Sequence, residues 1–130
     1  MGRPGVGTSL RDIQRLTRAM ADHGVEFERN TPVTGLMSDP VRGILKEDVL
    51  DERVLSAIIE FKLPEEKLAA ILPALRRVAE TLDTVFSLWV ISVIPPEGPD
   101  PVAERITSLG FDLRPNGKVN LGLGRALPKP

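Results

Sequence analysis

Apolar side chains recur at helical spacing in some stretches of this chain and at alternate positions in others. From Ser9 to His23 the apolar positions are Leu10, Ile13, Leu16, Thr17 and Met20, the three-to-four spacing of one helix face. Ser9 stands three places before Asp12, a capping box with aspartate in place of glutamate, and Gly24 lies where a helix C-terminus favours glycine. Residues 25–29, VEFER, then alternate Val25 and Phe27 with charged neighbours, which predicts a short strand with one wet face.

Residues 30–43 are punctuated by Pro32, Gly35, Asp39, Pro40 and Gly43 and read as loop. GILK suggests a further strand, and KEDVLDER a turn or a single helical turn. In VLSAIIEFKL, residues 54–63, Leu55, Ala57, Ile59, Phe61 and Leu63 share one face, which predicts a strand. A helix is expected over 64–83, with Leu68, Ile71, Leu72, Leu75, Val78, Ala79 and Leu82 along one stripe. Pro64 suits its first position, and Pro73 lies opposite the stripe, where it would bend the helix around a sheet.

TVFSLWVISVI, residues 84–94, is apolar on both faces and reads as a central, covered strand. Strand, helix and strand then imply a right-handed βαβ unit with parallel strands. After the stiff connector PPEGPDP, Asp100 caps a short helix with Pro101 at its first position and Gly110 beyond its end. FDLRPNGKVNLGLG reads as a hairpin turning at Asn116-Gly117. The expected fold is therefore α+β, a ferredoxin-like two-layer α/β sandwich with a βαβ core, a mixed sheet of four to six strands and three helices. The expected division is a flexible leader over 1–8, one domain over 9–124 and a tail over 125–130.

Composition narrows the function classes. Lys and Arg number 17 against 18 Asp and Glu, so no overall positive charge favours nucleic acid or an anionic membrane. One tryptophan, four phenylalanines and no tyrosine leave little for base stacking. The chain has no cysteine, which removes disulfides, thiolate nucleophiles and cysteine metal sites together. No segment has the length of a membrane span, and MGRPGVGTSL at the N-terminus has no apolar run of signal-peptide length, so a cytoplasmic location is expected. Arginine outnumbers lysine 12 to 5, a bias that suggests a bacterial source.

Several positions invite a functional reading. GRPGVGTS, residues 2–9, follows the phosphate-loop pattern G-x-x-x-x-G-K-[ST] except that Thr8 replaces the lysine. No strand precedes it, so neither the charge nor the placement of such a loop is supplied. Arg11, Arg15 and Arg18 fall on one helix face and could dock an anion or an acidic partner. Glu47, Asp48, Asp51 and Glu52 cluster without the order of a calcium loop, and Lys46 and Arg53 compete for them. His23 is the single histidine and has no nucleophile in a known catalytic spacing. Trp89 reads as core. Asn120, Gly122 and Gly124 share the face opposite Val119, Leu121 and Leu123, and glycines alternating on a strand suggest close approach of a ligand or partner.

No catalytic residue, metal or cofactor is assigned by these patterns. The reading they favour is a non-catalytic protein-interaction or regulatory module that self-associates or binds a protein partner. The alternative is a small enzyme or small-molecule-binding domain built from scattered Asp, Glu and Arg.

Overall fold

The computed structural model describes residues 1–93 and 95–113. The chain divides into two compact units, Met1–Ser87 and Leu88–Pro130.

In the first unit, strand β1 (Thr8–Ser9) runs directly into helix α1 (Leu10–Ala21). Ser9 has extended backbone, and its hydroxyl oxygen accepts from the Asp12 N–H at 3.1 Å, so the expected cap forms. Leu10, Ile13, Leu16, Thr17 and Met20 are all buried, as the spacing predicts. β2 (Glu26–Phe27) follows, and then a single-turn helix, α2 (Pro32–Gly35). α2 was not foreseen; Thr31 caps it by accepting from the Thr34 N–H at 3.3 Å, and Pro32 occupies its first turn. β3 (Met37–Asp39) and β4 (Ile44–Leu45) form a hairpin whose turn is closed by the Asp39 carboxylate, which accepts from the N–H groups of Val41 and Arg42. This hairpin is tied to α1: the Thr17 hydroxyl donates to the Gly43 carbonyl at 2.7 Å, and the Leu45 N–H donates to Gln14 Oε1 at 2.9 Å.

A 3₁₀ turn (Glu47–Val49) leads to β5 (Arg53–Val54), and β6 (Phe61–Lys62) precedes a second 3₁₀ turn (Glu65–Lys67) and helix α3 (Leu68–Ala79). Pro64 has extended backbone, at φ −59° and ψ 140°, and caps the 3₁₀ turn, so the α-helix begins four residues later than expected. Along α3, Leu68, Ile71, Leu72, Ala74 and Leu75 are buried, and the helix packs on α1. Phe27, Val33, Met37 and Leu45 complete the buried apolar set of this unit.

The sandwich expected from the sequence does not form. The strands make three two-stranded antiparallel ladders, β1 with β5, β2 with β6 and β3 with β4, and no sheet of four to six strands exists among the described residues. The single strand expected over 54–63 is divided, because its two ends pair with different segments: Thr8 faces Val54, while Phe27 faces Phe61. No strand is formed by the described residues of 84–93, so the parallel βαβ unit is absent. The physical reason lies in α3. Its apolar stripe states that the helix is covered, but the cover is the stripe of α1 and not a sheet. Among the described residues there are four α-helices in place of three.

Residues 1–8, expected as a flexible leader, are held by backbone hydrogen bonds. Met1 and Ala57 exchange a pair, each 2.8 Å, between the amino group or N–H of one and the carbonyl of the other. The Gly2 N–H donates to Val85 at 2.9 Å. Between them, Arg3 and Gly7 exchange hydrogen bonds of 3.0 and 2.7 Å, and the Val6 N–H closes a turn onto the Arg3 carbonyl at 3.0 Å. Pro4 presets the second turn position and Gly5, at φ +76°, the third, the residue preferences of a type II turn. Gly7 has φ +79° and lies so close to the Val54 carbonyl that a Cβ would overlap it.

In the second unit, α4 (Pro101–Ser108) forms where its cap and proline predict. Asp100 Oδ1 accepts from the N–H groups of Val102 and Ala103 at 3.0 and 3.3 Å, and its other oxygen receives the Ser92 hydroxyl at 3.3 Å. Gly110, at φ +78°, ends the helix. The hairpin expected over 111–124 lies outside the described residues beyond Leu113.

Candidate functional site

The phosphate-loop reading of residues 2–9 can be tested on its N–H groups, since such a loop binds by pointing them at the ligand. Here the N–H groups of Gly2, Arg3, Val6 and Gly7 all donate to carbonyls of the chain itself. The buried Thr84 hydroxyl donates to the Gly7 carbonyl at 3.2 Å. The glycines serve a tight turn and a close backbone contact.

The three arginines of α1 occupy its exposed side, but they do not converge on one empty site. Arg11 donates through Nε and Nη2 to Asp51 Oδ1, at 2.8 and 2.5 Å. Arg15 Nη1 donates to Asp12 Oδ1 at 3.2 Å and to the Thr81 carbonyl at 3.3 Å. Asp12 is buried, so Arg15 screens a carboxylate that would otherwise be poorly solvated. Arg11 and Asp51 are exposed, and such a pair contributes about 0–1 kcal/mol. Arg18 lies exposed in the last turn of α1. The other predicted positions, Asn120, Gly122 and Gly124, lie outside the described residues.

The acidic stretch 47–52 is drawn apart by its own backbone. Glu47 and Asp48 belong to the 3₁₀ turn, whereas Asp51 is directed to Arg11. Among the described residues no three Asp, Glu or His side chains gather in a metal-holding arrangement. At the amino terminus, burial pushes the Met1 ammonium below its ordinary value of 8.0.

Two open grooves lie on the first unit. One, of about 430 Å³, is lined by Gly24, Glu26, Lys62, Leu63 and Pro64 at the ends of β2 and β6. The other, of about 360 Å³, runs between the C-terminal halves of α1 and α3 and collects Asp22, His23, Arg77 and Thr81 around Ala19, Ala74 and Val78. Sequence reasoning considered His23 alone and missed its neighbours, because Arg77 lies 54 positions away and reaches it only through helix packing. Neither groove is enclosed.

The largest departure from expectation is the stretch 85–93. Read as a covered strand, it instead exposes Val85, Leu88, Trp89, Val90, Ile91 and Val93, with Ile91 at 100% and Val93 at 95%. Side chains of both parities are exposed, so one face of a strand is not simply turned to the core. No charged residue lies between Asp83 and Glu97. Leu55 and Ile58, between β5 and β6, add exposed apolar surface in the first unit, at 82% and 71%. The pattern was visible in the sequence, but apolar residues on both faces describe a strand covered by its own chain and a stretch offered outward equally well.

No protein family, curated protein or solved structure matches this chain. No helix among the described residues is long and apolar enough to cross a membrane.

Proposed function

We propose that this chain is a non-catalytic protein-interaction module of a bacterial cytoplasmic protein, and that it associates with itself or with a protein partner through the apolar stretch 85–93. The observation that carries this reading is the exposure of six large apolar side chains within nine consecutive residues, since contiguous apolar surface of this kind marks interaction sites. The absence of charge from 84 to 96 selects an apolar, uncharged counterpart over an acidic or basic one. A second copy presents such a surface.

Magnitudes set the expected strength. Burying a large aliphatic or aromatic side chain is worth about 1.5–3 kcal/mol. Association first loses roughly 4–15 kcal/mol in freedom of motion. A few such side chains therefore support weak, concentration-dependent association, near or above micromolar Kd.

The test is light scattering coupled to size exclusion over a wide concentration range, with Ile91→Glu as the comparison. Ile91 is fully exposed, so the substitution spares the packed core. Expected is a mass that rises with concentration for the native chain and stays at one chain for the variant, or a stoichiometric partner that the variant no longer retains. A native chain that stays at one-chain mass throughout, with no Ile91-dependent partner, overturns the proposal.

A further inference from the structure

We draw no further inference here: the strongest candidate, the open groove between α1 and α3 lined by Asp22, His23 and Arg77 with Ala19, Ala74 and Val78, holds charges of both signs, and nothing in the structure shows what covers it.

Discussion

The Thr84 hydroxyl donates to the Gly7 carbonyl at 3.2 Å, a buried hydrogen bond across 77 positions of sequence. It joins the segment after α3 to the turn at the start of the chain. Because the same Gly7 carbonyl also receives the Arg3 N–H, one acceptor holds both the turn and its attachment.

Gly7→Ala tests this junction. The substitution places a Cβ on a φ of +79° and against the Val54 carbonyl. Backbone strain of this kind alone costs about 1–3 kcal/mol, and displacement of Val54 adds to it. Chemical denaturation should show a loss of about 2 kcal/mol or more; a variant within about 0.5 kcal/mol of the native chain, the range of an ordinary surface change, would mean that residues 1–7 are not packed as described.

The contrast between Leu72 and Ile91 tests the placement of the core. Leu72 is 2% exposed on the buried stripe of α3, whereas Ile91 is 100% exposed. Leu72→Ala should cost about 2–5 kcal/mol. Ile91→Ala, measured on a dilute sample, should stay within about 0.5 kcal/mol of the native chain. Equal losses at the two sites would restore the covered strand expected from the sequence.

Pro73 offers a gain. It sits inside α3, half-buried, where it can donate no helical hydrogen bond and its ring crowds the carbonyl of Ala69. Pro73→Ala should raise stability by about 1–3 kcal/mol, since proline is roughly 3 kcal/mol worse than alanine in a helix interior. A lower melting temperature in the variant would show that the ring itself is needed for packing against its neighbours.

The Met1 amino group gives a pH dependence with a definite sign. Burial holds its pKa in the folded chain below the ordinary 8.0. Between the two values the unfolded chain binds the extra proton, so raising the pH through that window should stabilise the fold. Acetylating the amino group removes this contribution. Denaturation midpoints followed from neutral pH to just above 8 should rise for the free amine relative to the acetylated chain; parallel curves would count against the buried amine.

At α1 and α4, where local physical chemistry decides, the sequence was a sufficient guide. The Ser9 cap and the stripe of Leu10, Ile13, Leu16, Thr17 and Met20 define α1, and Asp100, Pro101 and Gly110 bound α4, because each signal acts within a turn or two of the backbone. The stripe of α3 was equally legible. Its start was not, because Pro64 satisfies either a helix or a 3₁₀ turn. Of the candidate site, the sequence placed the three arginines on one exposed face but could not show that Asp51, Asp12 and the Thr81 carbonyl engage two of them.

By itself, then, the sequence determined that α1, α3 and α4 are helical and which side of α1 and α3 is apolar. Only the tertiary structure decided what covers each apolar face. It set α3 against α1, split residues 54–63 between two partners, and folded GRPGVGTS into a turn anchored on Val85 and Thr84. Hydrophobic burial is non-directional: periodicity records that a face leaves water, and the choice among apolar partners is made by long-range contacts that no local pattern encodes.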